Sequence, residues 1–364
     1  MKFLHLSDLH IGKRLNGVSL CEDQRYIFKQ IIEIVAKNKL GAAVIAGDVY
    51  DKSAPSAEAV ELFDDFLTEL HNLGIPIMII SGNHDSPERL SFGRRIMDNV
   101  HICCSFDGTL HRVRVCDVDF YLLPFVKPQT VRSVLGKDDL DDFNEMAELI
   151  FKDFKSEGKS VLVIHQFITA GAECPEYGGS ESVTVGTIDN IDLSHFSEFD
   201  YVALGHIHRQ QSMKNAVYCG SPLKYSFAEA SSEKYAVIVD TDNDMSVEKI
   251  PLKPLHDMRK IKGSIENLLN PEIYGDTDTE DYISVTLTDR GVIDAVGKLR
   301  AVYKNVLEIH FEGDETETSA GAVSAEDIRE KSPEKLFGQF FKEQNGAEMT
   351  EEQREIVKEI FEEL

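Results

Sequence analysis

A layered α/β fold is predicted by three features of the chain. Short apolar runs stop abruptly at glycine or a polar residue, helical stripes lie between them, and a metal-capable side chain follows each stop. Residues 2 to 6 alternate like a strand and give way to a polar loop. Ile27, Ile31, Ile34 and Val35 then share one helical face within residues 22 to 38, and Ala42 to Ala46 is a compact buried strand ended by Gly47. The pattern repeats, with Val60, Phe63, Phe66, Leu67 and Leu70 striping a helix over 57 to 73 and a strand over 76 to 80 ended by Ser81 and Gly82. Leu110 to Val115 and Val118 to Leu123 read as antiparallel strands within a stretch, 100 to 123, of that character, and Asn144 to Lys155 as a helix. Ser160 to Ile164 is a further buried strand with His165 directly after it. Residues 166 to 195, rich in Gly, Ser, Thr and acids, read as a long functional loop. Strands resume over 199 to 204, 217 to 219, 235 to 240 and 245 to 250.

Pro251 and Pro254 mark a boundary, beyond which strands at 258 to 263, 282 to 288 and 306 to 311 alternate with helical segments near 264 to 270 and 292 to 303. The domain expectation is therefore 1 to 255, then a small α/β unit over 256 to 313, a polar linker over 314 to 325 and a helical segment over 326 to 364. In that last segment Ser332 and Pro333 open a helix with Leu336, Phe337, Phe340 and Phe341 on one face. Thr350 and Gln353 make the capping box of a second, whose face carries Ile356, Val357, Ile360 and Phe361.

The formal charge of −26, from 38 basic and 64 acidic residues, argues against a protein that coats nucleic acid by bulk attraction. An anionic substrate would have to be held locally. No apolar run is long enough for a bilayer span, and the start reaches His5 and Asp8 too early for an export signal, so a soluble cytoplasmic protein without a membrane partner is expected. The six cysteines form no Cys-x-x-Cys pair and read as reduced thiols.

Five strand-to-loop junctions carry the chemistry: Asp8 with His10; Asp48 with Asp51; Asn83, His84 and Asp85; His165; and His206 with His208. Imidazole, carboxylate and one amide form the mixed N/O set that suits Mn²⁺, Fe²⁺ or Zn²⁺. There are too many such groups for one ion, whereas a carboxylate can bridge two ions about 4 Å apart, the spacing used in phosphoryl transfer. Turn formation accounts for any one of these motifs alone, but not for all five in this order after strands. The other histidines, 5, 71, 101, 111, 195, 256 and 310, read as structural or surface residues.

In order and spacing these motifs resemble the calcineurin-like metallophosphoesterases. Residues 3 to 12 (FLHLSDLHIG), 82 to 90 (GNHDSPERL), 203 to 209 (ALGHIHR), 218 to 227 (YCGSPLKYSF) and 334 to 338 (EKLFG) resemble the SbcD-type nuclease subunits within that superfamily. The resemblance implies a β-sandwich flanked by helices, a capping domain at 256 to 313, and hydrolysis of DNA phosphodiester bonds with two divalent ions. Mn²⁺ is the first choice for these ions, with Mg²⁺ or Fe²⁺ as alternatives. By position, one ion would be held by Asp8, His10, Asp48 and His208, the other by Asp48, Asn83, His165 and His206. His84 would face the phosphate, with Asp85 orienting its ring or merely capping the turn. Asp51, where some relatives have histidine, cannot donate to phosphate as a carboxylate and is expected behind the ligands.

Lys13, Arg14 and Arg89 are the local candidates for contact with DNA phosphates, Arg94 and Arg95 being explained almost as well by a solvated helix face. The C-terminal helices are expected to dock on an SbcC-type ATPase, and a homodimer giving a heterotetramer is implied by the resemblance. Two alternatives remain open at this point: a phosphodiesterase acting on a small ester or a phosphoprotein, and a non-catalytic scaffold.

Overall fold

The computed structural model describes residues 1–137, 139–171, 173–179, 190–275, 277–289, 291–313, 349–351, 353, 354, 357 and 358. The linker and the docking residues Leu336, Phe337, Phe340, Phe341, Ile356, Ile360 and Phe361 lie outside the described residues. The chain divides into two compact units, Met1–Arg259 and Lys260–Leu364.

In the first unit two six-stranded sheets carry the motifs. One has the order Ser246–Leu252, Lys234–Asp240, Lys2–Leu6, Ala42–Ala46, Ile77–Ile80, Val100–Cys103, and its last four strands run parallel. The other has the order Gln211–Met213, Ala216–Tyr218, Tyr201–Gly205, Lys159–His165, Val118–Leu123, His111–Val115, with a parallel centre closed at each edge by a hairpin. Alternate residues of both sheets form one apolar cluster, among them Phe3, Val44, Met78, Phe120, Val161, Val163 and Tyr201. Phe3 lies edge-on to Phe120 and to Tyr201, with ring centroids 5.2 and 5.9 Å apart. Each aromatic so buried contributes about 1.5–3 kcal/mol.

The pleat sends Leu4, Leu6, Ile45 and Ile79 to the opposite face of the first sheet, where they too are buried. Helices Cys21–Asn38 and Ala57–Asn72 present apolar stripes suited to such a face and stack Phe28 on Phe66. On the second sheet, Leu162, Ile164, Val202 and Leu204 join a cluster with Met146, Ala147 and Phe151 of helix Phe143–Phe151, which Asp142 caps.

Three readings of the sequence are corrected. Val100–Cys103 pairs in parallel with Ile77–Ile80 rather than antiparallel with its successors, because its apolar residues complete the first sheet. Pro128–Leu135 is a helix that the sequence reading passed over. Within 166 to 195, Phe167–Thr169 pairs with Asn190–Asp192, strands too short to show a period.

The second unit holds a three-stranded sheet of Met258–Gly263, Tyr282–Leu287 and Asn305–Phe311, the first strand starting just before the division. Ile283, Val285, Leu287, Leu299 and Tyr303 form its core. No helix among the described residues is long and apolar enough to cross a membrane.

Candidate metal centre

The parallel strands Lys2–Leu6, Ala42–Ala46, Ile77–Ile80, Lys159–His165 and Tyr201–Gly205 each end at a motif, at the strand edge where open α/β sheets hold ligands. The loops are locked by backbone pairing, since Asp8 N donates to the Gly47 carbonyl at 3.0 Å and His10 N to the Asp48 carbonyl at 3.0 Å. Asp8, His10, Asp48 and His206 all adopt positive φ, a conformation that costs of order 1–3 kcal/mol and persists only where surroundings enforce it. Close approach does part of the enforcing. A Cβ at Gly82 would stand 2.1 Å from Asp48 Oδ1, and one at Gly47, already at φ +87°, would stand 2.4 Å from His165 Nδ1.

His10 Nε2 and His208 Nε2 face each other at 3.0 Å, and Asp48 Oδ2 lies 3.6 Å from His10 Nε2 and 3.4 Å from His165 Nε2. Asp8 Oδ1 is 4.0 Å from His208 Nε2, while both Asp8 oxygens accept from the His206 backbone N–H at 3.0 and 3.2 Å. Asn83 Oδ1 gathers His165 Nε2 at 3.0 Å and His206 Nδ1 at 3.1 Å. Asp8, His10, Asp48, His165 and His208 are essentially buried. Their atoms meet in two overlapping groups, Asp8–His10–His208 and Asp8–Asp48–His165, close enough to share cations, and His206 is drawn in through Asn83. Two imidazole nitrogens pressed together beside buried carboxylates fit a cation better than they fit each other, so the donor set suits divalent ions. Asp8, His10, Asp48 and His208 would hold one, and Asp48, Asn83, His165 and His206 the other.

Burial opposes charge on His165, but the carboxylates of Asp48 and Asp8 outweigh it and raise its pKa to about 9. Burial alone would raise Asp48, yet His165, His10 and His84 hold it well below the usual carboxylate range. The imidazolium of His165 must therefore shed its proton to become a ligand. Below about pH 9 cation uptake should release about one proton, and affinity should fall as pH falls. Calorimetric titrations with Mn²⁺ in two buffers of unlike protonation enthalpy measure this, and a proton count near zero at about pH 7.5 contradicts it.

His84 donates its backbone N–H to Asp48 Oδ1 at 2.9 Å, and its Nδ1–H donates to the Asp51 carbonyl at 3.0 Å, which leaves Nε2 available. Of the two roles left open for Asp85, its hydrogen bonds favour capping over orienting the His84 ring. Its carboxylate accepts from the backbone N–H groups of Val49, Tyr50 and Gly82 at 3.1, 2.9 and 2.9 Å, so it staples two loops together while the Asp51 carbonyl orients the ring. Burial and the nearby Asp48 raise the Asp85 pKa to about 6, against those three donors.

Asp51 Oδ1 lies 3.7 Å from His10 Nδ1 and pairs with Lys13 at 2.8 Å. Lys13 is thus engaged at the site rather than spread on the surface. The Arg89 guanidinium donates to the Ser53 carbonyl at 2.6 Å, and Arg14 to the Gly17 carbonyl. Sequence reasoning missed Glu229, Lys234 and Ser221, which cluster behind His208, and Gln24, whose amide donates to the Leu9 and His10 carbonyls at 3.1 and 2.8 Å. The one available signal was weak: a lysine opening the apolar strand Lys234–Asp240 five residues after a glutamate. His5, expected to be structural, is buried with Nδ1 2.9 Å from the Tyr201 hydroxyl, and burial lowers its pKa to about 3.

The family model for calcineurin-like phosphoesterases matches residues 1–210. The chain belongs to that family. A second model, the SbcD C-terminal one described as the type 5 capsule protein repressor C-terminal domain, matches residues 254–345. The SbcD component of the nuclease SbcCD from Staphylococcus epidermidis is 30% identical over 374 residues, covering 99% of this chain and 98% of that one, which places the chain among the SbcD proteins of the family. Among solved structures, a protein from Thermus thermophilus aligns at TM-score 0.42 and 11% identity, over 69% of this chain and 99% of its own. A dimetal phosphatase from Danio rerio aligns at TM-score 0.40 and 10% identity, over 70% and 99%.

Proposed function

We propose that this SbcD-family chain is the metal-dependent nuclease subunit of an SbcCD-type assembly, hydrolysing DNA phosphodiester bonds in repair and recombination. It would act as an exonuclease at DNA ends and as an endonuclease on single strands and hairpins. The observation that carries this reading is the convergence of five loops from two sheets around Asp48, Asp8 and Asn83. When bound, two divalent ions, Mn²⁺ in the first place, supply a water of lowered pKa and the charge that polarises a phosphoryl oxygen. The chain's own residues do the rest. The bonds that orient the His84 ring leave Nε2 unused, so that the ring, protonated on both nitrogens, would donate from Nε2 to a phosphate oxygen or protonate the leaving 3′-oxygen. Arg14, Arg89 and Lys13 supply local positive charge for flanking phosphates on a chain whose net charge is −26.

That negative charge supports a division of labour in which duplex affinity comes from an SbcC-type ATPase. Residues 326 to 364 would dock on it, residues 256 to 313 would cap the nuclease domain of 1 to 255, and 314 to 325 would link the two segments. A homodimer completes the heterotetramer. Phe92 and Ile96, 85% and 88% exposed, offer apolar surface for it. Deleting residues 326 to 364 should abolish association with the ATPase in co-purification and leave Mn²⁺-dependent cutting of single strands. Loss of that cutting from a folded truncated chain contradicts the assignment.

A small phosphodiester as substrate is tested with the whole chain on linear DNA and on bis(p-nitrophenyl) phosphate at matched Mn²⁺. DNA cleavage is expected, and hydrolysis of the small ester without any DNA cleavage rejects the nuclease reading. The scaffold alternative is disfavoured by the complete ligand set and by the retained His84.

A further inference from the structure

Resting on the two-cation reading above, one asymmetry stands out between the histidines. His10 and His208 meet through Nε2, so each turns Nδ1 outward, and a carboxylate oxygen faces each Nδ1: Asp51 Oδ1 at 3.7 Å from His10 and Glu229 Oε1 at 3.9 Å from His208. Each carboxylate in turn grips a lysine. Asp51 pairs with Lys13 at 2.8 Å, and Glu229 with Lys234 at 2.5 Å. Lys234, almost fully buried, also donates to the His208 carbonyl at 2.9 Å and to Ser221 Oγ at 2.8 Å, so the second pair is wired to the backbone of the ligand it serves. His165 differs, since its Nδ1 donates to the neutral carbonyl of Ala46 at 2.8 Å. His10 Nδ1 is buried without a hydrogen-bond partner among the described residues, and Asp51 Oδ1 is the carboxylate oxygen that faces it.

We infer that Asp51 and Glu229 are positioning residues that hold the protons of His10 and His208 on Nδ1, so that both imidazoles present Nε2 to one cation, with Lys13 and Lys234 as built-in counter-ions. A neutral imidazole places its N–H toward a nearby anion, and a carboxylate behind a ligating histidine raises the basicity of the nitrogen that binds. The lysines set the charge. Asp8, Asp48, Asp51 and Glu229 against two ammonium groups leave two negative charges, which one divalent ion cancels. The other group offers the shared Asp48, the amide of Asn83, and the imidazoles of His206 and His165, the latter backed by a carbonyl in place of a carboxylate. The cation held by Asp8, His10, Asp48 and His208 is therefore the tighter one and enters first.

The test combines calorimetric Mn²⁺ titration of the full chain with ¹⁵N NMR of its imidazoles after chelation. Two steps of unlike affinity are expected, and His10 and His208 should appear as Nδ1–H tautomers. Asp51→Ala should weaken the tighter step about 10–100-fold, leave the weaker step in place and release the tautomer preference of His10. Glu229→Met alone would strand a buried ammonium group. The double variant Glu229→Met/Lys234→Met keeps the site neutral and should do the same at His208, and if it fails to fold, Asp51→Ala decides the matter. Equal affinities for the two steps, or tautomers unchanged when the carboxylates are gone, overturn the inference while leaving the two-cation reading intact. Absence of any Mn²⁺ uptake by the unaltered chain overturns both.

Discussion

Asp48→Asn is expected to abolish DNA cleavage and to reduce Mn²⁺ uptake from two equivalents to fewer than one. The side chain is isosteric, and its amide oxygen can still accept the His84 backbone N–H that Asp48 accepts at 2.9 Å, so the fold should survive. What disappears is the negative charge lying 3.6 Å from His10 and 3.4 Å from His165, a carboxylate placed between the two proposed cations. Losing several kcal/mol of transition-state stabilisation corresponds to a rate drop on the order of 10³–10⁴-fold. Elemental analysis of the folded variant and a cleavage assay on linear DNA provide the check. Two retained equivalents of Mn²⁺ would remove Asp48 from the centre of the site.

His84→Ala should separate chemistry from cation binding. The imidazole is oriented by the Asp51 carbonyl at 3.0 Å, and it is not among the side chains proposed to hold either ion. Uptake of Mn²⁺ should be unchanged while cleavage falls about 10²–10⁴-fold, the usual loss when a positioned proton donor is removed. Undiminished cleavage at full metal content would exclude His84 from the mechanism. Loss of metal would instead assign it to the ligand set.

The core strands were legible because compact apolar runs such as Ala42 to Ala46 and Ser160 to Ile164 are buried along their whole length, and the glycine or histidine that follows each is abrupt. The seven ligand candidates were legible for the same reason, since each follows a strand whose end the sequence marks. The sequence left two roles open for Asp85 because a carboxylate next to a histidine in the chain need not meet it in space, and here it turns to three backbone donors. Glu229 was invisible because its partner His208 lies 21 residues away, joined to it only by tertiary packing. Phe167–Thr169 and Asn190–Asp192 were missed because three residues are too few to show alternation.

The proposed ligands leave the first sheet at residues 8, 10, 48 and 83 and the second at 165, 206 and 208. During synthesis the earlier four emerge well over a hundred residues before His208, and the sandwich that aligns them needs the strand Lys234–Asp240 beside Lys2–Leu6. A half-made chain on the ribosome thus has neither the full set of donors nor the scaffold to hold them. The proposed centre can therefore assemble only after most of the chain has been translated, a consequence of topology alone.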